Sequence, residues 1–245
     1  LSKKLVIIPT FNEVENIASI IDAVLQLEES FDVLIVDDNS TDGTRKLVID
    51  QQINYPNRVH LLERERKMGL GTAYIAGFKF GLKKGYDYLF EMDADFSHDP
   101  KDLPRLLKAC EVYGADLTVG SRYVKGGSIL NWSIDRHILS RMASIYVRLL
   151  TWMPISDPTA GFICYHRTVL ESLPLNDIRF IGYAFQIEMK FAAWKQGFKL
   201  YEVPIVFKDR EQGNSKMNGS IIKEAVFGVF QLIFRGFKGY YNKIN

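Results

Sequence analysis

The sequence predicts an α/β protein, a mostly parallel sheet flanked by helices in a single domain. Three observations lead there. Through the first half of the chain, short apolar runs rich in Val and Ile alternate with stretches whose apolar residues recur at helical spacing. Polar and acidic clusters follow three of those runs directly, at the strand ends where open parallel sheets bind ligands. The composition, 47% hydrophobic and 24% charged over 245 residues, is that of an ordinary globular chain long enough to fold without a metal or disulfide staple. It excludes a disordered chain, a collagen and a disulfide scaffold.

The elements follow in order. Residues 4–9 read as a buried strand. Residues 16–27 carry apolar side chains at 17, 20, 21, 24 and 25, one face of a helix. Residues 32–36 form a second strand. A second helix over 42–53 is announced by Ser40-Thr41-Asp42-Gly43, whose side chains offer capping oxygens. Residues 58–62 are a strand, 71–84 a helix and 87–92 a fourth strand. Asp99-Pro100 then opens another helix, with proline in the first turn where its missing N–H costs nothing. The second half is less regular. With no repeat or linker, we read one continuous domain whose carboxyl third closes over the sheet.

The chemistry should lie just after Ile8, Val36 and Met92, in Pro9-Thr10-Phe11-Asn12-Glu13, Asp37-Asp38-Asn39-Ser40 and Asp93-Ala94-Asp95. Asp93 and Asp95 at i and i+2, leaving an apolar strand, are poor structural design unless a cation sits between them. Hard oxygen ligands of this kind suit Mg²⁺ or Mn²⁺ holding a diphosphate. No phosphate-binding loop of the Walker type occurs, which excludes a P-loop NTPase. Gly69-Leu70-Gly71 lacks the third glycine of a dinucleotide fingerprint; those glycines serve either close approach to a ligand or a tight turn before a helix. The four histidines, 60, 98, 137 and 166, form no triad or metal cluster and read as structural or surface residues. His98 is the exception to watch, because it follows the acidic motif. Cys110 and Cys164 match no zinc spacing and are expected to be buried, reduced thiols of a cytosolic protein.

The formal charge of +2 hides an asymmetry, with a local excess of four positive charges in both 121–148 and 199–245. Basic segments opposite an acidic remainder point to anionic partners, phosphates or lipid head groups. A nucleic-acid partner is not expected: the basic segments carry no recognised motif, and acidic strand ends would repel a phosphate backbone. No run reaches the 18 or so apolar residues that span a bilayer. The amino end runs straight into a strand, so no signal peptide is expected, and the chain should be soluble or lie on a membrane surface.

The strand-end motifs, with Val36-Asp37-Asp38-Asn39-Ser40-Thr41-Asp42-Gly43-Thr44 taken whole, resemble those of family 2 glycosyltransferases of the GT-A fold. A second set lies in the carboxyl half: Gly120-Ser121-Arg122-Tyr123, Arg136 with Ser140, Asp157-Pro158-Thr159-Ala160-Gly161-Phe162, the segment from Gly182 to Met189, and Arg210 to Lys216. These resemble the dolichol- or polyprenol-phosphate mannose synthases, over nearly the whole chain from about Leu5 to Ile233. The resemblance implies transfer of mannose from GDP-mannose to a polyprenyl monophosphate, with inversion, by an enzyme that needs Mg²⁺ or Mn²⁺. UDP-glucose-dependent transfer is the alternative, and a nucleotide-sugar-binding protein without turnover a more distant one.

The same resemblance implies roles. Pro9, Phe11 and Glu13 line the nucleotide, Asp38 with Asp37 beside it reads the base, and Asp93-Ala94-Asp95 meets the ribose and diphosphate, Asp93 and Asp95 ligating metal. A related version of the motif has a metal-ligating Gln where this chain has Ser97, which leaves a third protein ligand in doubt. Arg122, Arg136, Ser140, Arg210 and Lys216 hold the phosphorylated substrates, the last two on a loop expected to close over the donor. The residues suit such a reaction on their own terms. A phosphate monoester is already anionic at neutral pH and needs cations to align it rather than a base, and arginine forks match its oxygens. Arg136 and Ser140, i and i+4, share one helix face.

We divide the chain into a catalytic domain, 1–218, and a carboxyl-terminal helix, 219–245, continuous with it. Glu224, Gln231, Arg235 and Lys238 make one narrow polar stripe, and nearly everything else from 221 to 241 is apolar, Phe230 and Phe234 included. So broad an apolar face belongs in the core, against a partner subunit or second copy, or in the membrane interface. Aromatics beside Lys and Arg fit an interfacial helix, which would hold the protein on the cytoplasmic face of a membrane.

Overall fold

The computed structural model describes residues 2–182, 184–209, 228–236 and 238–241. Strand and helix alternate as expected through β1 (Lys4–Thr10), α1 (Ile17–Leu25), β2 (Phe31–Asp37), α2 (Thr44–Asn54), β3 (Val59–Glu63), α3 (Leu70–Lys84) and β4 (Tyr88–Glu91). A single 3₁₀ turn, Pro100–Asp102, leads into α4 (Leu103–Tyr113), with the Asp99 carboxylate accepting from Lys101 N at 3.0 Å. The cap of α2 differs in detail from the expectation. Gly43 is the capping residue at φ +105°, and the carboxylate of Asp42 before it accepts from Thr44 N at 3.0 Å.

The second half adds β5 (Leu117–Ser121), β6 (Ser128–Leu130), α5 (Ile134–Thr151), β7 (Ile163–His166), α6 (Arg167–Ser172), α7 (Ala184–Lys195), β8 (Leu200–Pro204) and β9 (Val206–Lys208). The main sheet runs β3-β2-β1-β4-β7-β5-β8. All its pairings are parallel except those of β7, which is antiparallel to both β4 and β5. The carboxyl third therefore extends the sheet through β8 as well as covering it. β6 and β9 form a separate two-stranded parallel ribbon.

Side chains alternate across the sheet, so each strand feeds two cores. Leu5 and Ile7 face α3 and α7, packing with Tyr74, Phe78 and Phe185. Val6 and Ile8 face α1 and α4, packing with Ile20, Ile21 and Leu106. Gly77 lets α3 lie close on the sheet: a Cβ there would stand 2.5 Å from Ile7 Cγ2. Cys110 and Cys164 are buried thiols with sulfurs 3.8 Å apart. After β1 the chain builds outward through β2 and β3, then returns to the other side of β1 with β4. That reversal opens a crevice beyond the carboxyl ends of β1 and β4, where open α/β sheets bind ligands.

Candidate active site

Two loops at the ends of β1 and β2 are stitched together. Asp37 is buried and accepts from Thr10 Oγ1 at 2.8 Å, from Ser40 Oγ at 2.6 Å and from Ser40 N at 2.9 Å. Thr41 N donates to Asn12 Oδ1 at 3.0 Å, Asn12 N to Ser40 Oγ at 2.9 Å, and Glu13 N to Thr44 Oγ1 at 2.9 Å. Asn12 and Asn39 take left-handed backbone, φ +57° and +61°, which asparagine tolerates best after glycine. The Ser-Thr-Asp-Gly run thus organises a loop as well as starting a helix. Pro9, Phe11 and Glu13 are half-buried along its rim, with the Lys67 ammonium 4.5 Å from the Phe11 ring centre.

Asp38, expected to read the base with Asp37 beside it, has its buried carboxylate ion-paired with Arg64 and accepting from Met68 N at 3.2 Å, so anything beside it meets an ion pair. Arg64 also donates to Thr72 Oγ1 at 2.6 Å, tying this loop to α3. Gly69, at φ +97°, precedes α3, and a Cβ on Gly71 would strike the Phe185 ring at 2.7 Å. The geometry shows the tight turn at Gly69 and close packing at Gly71.

Beyond β4, Asp93 and Asp95 are half-buried and Ala94 between them is buried. Ser97 N donates to Asp95 Oδ1 at 3.1 Å, and Tyr74 O–H to Asp93 Oδ1 at a long 3.4 Å. Phe96 sits at φ +57°, a conformation costly for a bulky residue and typical of functional turns. It turns the chain so that Asp93, Asp95, Ser97 and His98 all line one cavity of about 380 Å³. His98 is buried against the Phe162 ring, centres 4.9 Å apart. Burial is the main cause that pushes its pKa down to about 4, so the ring is neutral at physiological pH. Among the described residues no three His, Cys, Asp or Glu side chains converge to hold a metal ion. The donor set still fits a hard cation shared with a ligand: two carboxylates from protein, the remaining positions from diphosphate oxygens and water.

The opposite wall of the cavity comes from α5 and the turn after β5. Arg122, Arg136 and Ser140 all reach it, on the same cavity as the acidic pair. The two arginines are differently placed. Arg122 was expected to hold a phosphate, but its fork is spent on Asp157: Nε and Nη2 each donate to that carboxylate at 2.7 Å, and Nη2 also to Thr159 Oγ1 at 2.9 Å. The pair is buried, with side chains 9% and 0% exposed. Burial alone would raise the Asp157 carboxyl; the guanidinium outweighs it and holds the group below the usual range. Arg136 is more open, 26% exposed, and donates through Nη1 to both oxygens of Asp209 at 2.8 Å. The Trp132 ring lies 4.1 Å beneath it. Ser140 Oγ accepts from Tyr123 O–H at 2.7 Å. Arg210 and Lys216, with their proposed closing loop, lie outside the described residues, as does Tyr183 of the Gly182–Met189 motif.

Sequence reasoning gave no role to the buried polar groups behind the cavity. Gln186 lines it and donates from Nε2 to Glu91 Oε2 at 2.6 Å, while Lys190 Nζ donates to Ala160 O at 2.6 Å. Burial raises the Glu91 carboxyl to about 8 and lowers the Lys190 amine to about 7. The signal available was a run of polar residues on a helix otherwise apolar all round, Gln186, Glu188 and Lys190 in α7.

Along the outer side of α5 runs an apolar stripe, Ile134, Ile138, Ile145 and Leu149, all exposed. Residues 228–236 are helical, dock through Val229 and Leu232, and leave Phe230 and Phe234 exposed. Arg235, expected on an outward polar stripe, is buried instead: it donates to Glu188 Oε1 at 2.9 Å, where Tyr241 O–H also donates at 2.7 Å. Among the described residues no helix is long and apolar enough to cross a membrane.

The sequence matches a known family along most of the chain. The sequence profile described as Glycosyl transferase family 2 aligns with residues 5–173. The chain belongs to that family. It is 48% identical over 234 residues to the polyprenol monophosphomannose synthase of Mycolicibacterium smegmatis, covering 96% of this chain and 88% of the relative. It is 45% identical over 225 residues to the undecaprenyl-phosphate mannosyltransferase of Micrococcus luteus, covering 92% and 91%. The resemblance read in the carboxyl-half motifs thus extends to relatives bearing that kind of name. Among solved structures, glucosyl-3-phosphoglycerate synthase of Mycobacterium tuberculosis superposes with a TM-score of 0.70 at 18% identity, covering 94% of this chain and 80% of that one. A second structure of the same enzyme, with Mn²⁺, UDP and glucosyl-3-phosphoglycerate, gives a TM-score of 0.68. This likeness shows the fold, a GT-A sheet flanked by helices.

Proposed function

We propose that this family 2 glycosyltransferase moves mannose from GDP-mannose to a polyprenyl monophosphate, with inversion at the anomeric carbon. The observation that carries the reading is one cavity with an acidic pair on one wall and arginine with serine on the other. The names of the two relatives supply the substrate class. The nucleotide would lie over Pro9, Phe11 and Glu13, beside the Asp38–Arg64 pair, with its diphosphate toward Asp93 and Asp95. Bound there, Mg²⁺ or Mn²⁺ would neutralise the diphosphate and ease its departure.

The acceptor phosphate would meet Arg136 and Ser140. It is anionic before it binds, so no residue need remove a proton; alignment and charge compensation are the protein's contribution. Arg136 gives up Asp209 for the phosphate, one carboxylate exchanged for another anion. Arg122, locked to Asp157, shapes the wall. Apolar Leu139, Met142, Ala143 and Tyr146 continue the cavity along α5, the surroundings an isoprenoid chain requires. The stripe on the outer side of α5 and the exposed Phe230 and Phe234 would rest in the head-group layer of the cytoplasmic face, bringing the cavity to an acceptor that stays in the bilayer.

The test is a screen of labelled GDP- and UDP-sugars against a short polyprenyl phosphate with Mg²⁺ or Mn²⁺. Mannosyl transfer from GDP-mannose is expected, giving the β-linked product. Preference for UDP-glucose, or no transfer from any nucleotide sugar, overturns the reading.

A further inference from the structure

The Asp93 carboxylate sits between two buried side chains that the proposed reaction leaves without a task. Tyr74 is completely buried, and its ring stacks on Phe185 with centres 6.1 Å apart and planes 8° from parallel. Its hydroxyl therefore has a fixed position, 3.4 Å from Asp93 Oδ1. His98 is clamped as firmly. Its ring lies against Phe162 at 14° between planes and meets Phe207 edge-on, centres 5.4 Å apart. His98 Nδ1 is buried and has no hydrogen-bond partner, and it stands 4.0 Å from Asp93 Oδ2. Buried nitrogens are nearly always partnered, so an orphan directed at a carboxylate points to a second state in which the bond is made. Moving the carboxylate by about 1 Å brings this gap to hydrogen-bond length. The Asp93 side chain, 42% exposed, has room for it.

We propose that His98 and Tyr74 are positioning residues for donor binding, fixing the Asp93 carboxylate from its two sides as it takes up the cation and diphosphate. The inference rests on the metal-dependent donor site proposed above and assigns that site two residues. The need for positioning is greater because no third protein ligand converges on the pair among the described residues. Carboxylates that ligate metals are commonly held by a second layer of hydrogen bonds, whose loss weakens metal binding about 10–100-fold. In this arrangement His98 carries its proton on Nδ1 and donates to Oδ2, and Tyr74 donates to Oδ1.

The full chain is titrated with Mn²⁺ at a fixed GDP concentration, following the paramagnetic resonance signal of free Mn²⁺. His98→Ala should weaken Mn²⁺ uptake by roughly 10–100-fold and Tyr74→Phe measurably. His98→Asn, whose amide nitrogen falls near the lost Nδ1, should recover most of the affinity, while His98→Gln, reaching the place of Nε2, should not. KM for the polyprenyl phosphate should stay unchanged throughout. The proposal is overturned if Asn is no better than Ala, if the acceptor KM rises in parallel, or if Tyr74→Phe binds Mn²⁺ as the wild type does. That last variant removes only a hydroxyl and decides the matter even if His98→Ala fails to fold. Wild-type protein that takes up no Mn²⁺ with GDP overturns the metal-dependent donor site itself, and this proposal with it. Normal wild-type uptake with unaffected variants overturns only the positioning roles.

Discussion

Arg122 and Arg136 look equivalent in the sequence, and their surroundings give them different work. Arg122 and Asp157 are a buried bidentate pair. Arg122→Ala strands that carboxylate and should lower stability by about 3–5 kcal/mol, the usual result of breaking a buried pair from one side; urea denaturation measures it. Arg136 is partly exposed, lies over the Trp132 ring and is paired with an exchangeable carboxylate, Asp209, just after β9. Arg136→Ala should leave the melting temperature nearly unchanged. It should lower kcat/KM for the lipid phosphate by one to two decades, from the loss of about 1.5–3 kcal/mol in a charge-assisted contact, with donor KM unaltered. A fall in donor affinity with normal acceptor kinetics would show that Arg136 serves the other phosphate. Asp95→Asn keeps an oxygen for Ser97 N and should fold normally while losing turnover; wild-type activity surviving excess EDTA would contradict the metal's role.

At the scale of elements, α5 carries two surfaces. Its inner face, with Arg136, Ser140 and Ala143, lines the cavity. Its outer face is an exposed apolar stripe from Ile134 to Leu149. On the interfacial reading of the carboxyl-terminal segment, Arg235 and Lys238 are its attractive charges. Burial of Arg235 against Glu188 removes that charge from the surface and makes it an anchor that docks residues 228–236 on α7. Attachment should therefore depend on α5 at least as much as on Phe230 and Phe234. Ile138→Ser with Ile145→Ser should weaken sedimentation with anionic liposomes without lowering the melting temperature, since both side chains are already exposed. Salt should weaken wild-type attachment in part, because apolar burial is not screened. Wild-type protein that ignores liposomes and elutes as a dimer, with the double variant monomeric, would make the stripe a subunit interface.

The whole molecule is organised by the reversal at β1 and β4 and by the single antiparallel strand β7, which joins β5 and β8 to the parallel half. The Asp157 loop leads into β7, so the Arg122–Asp157 pair ties the cavity wall to the middle of the sheet. Its pH dependence has a definite sign. The Asp157 carboxyl is depressed in the folded protein, so its contribution is complete above the unfolded value, about 3.9, and is lost as pH falls toward the folded one. Unfolding free energy measured in urea should drop below about pH 4. Asp157→Asn, less stable at neutral pH, should show a shallower drop; an identical slope would mean other carboxylates control acid unfolding.

The local pattern alone made the parallel half of the sheet legible, because β1, β2 and β4 are short apolar runs and α1 has one apolar face, while α2, which buries Thr44, Val48 and Gln51, was announced by its capping residues. It also located the crevice, since polar residues directly after Ile8, Val36 and Met92 can only fall at strand ends. The antiparallel β7, the short β6 and β9, and the extension through β8 were not legible: Ile163–His166 and Val206–Lys208 are too short to show a period, and their direction depends on which neighbours they meet. Candidate residues were visible as chemical types, but their partners were not. Only the folded chain puts Asp157 on Arg122, Arg64 on Asp38, Glu188 on Arg235 and Asp209 on Arg136, across separations of 26 to 73 residues. A charge in a sequence can serve a ligand or another charge; burial and distance decide which, and both are properties of the tertiary structure.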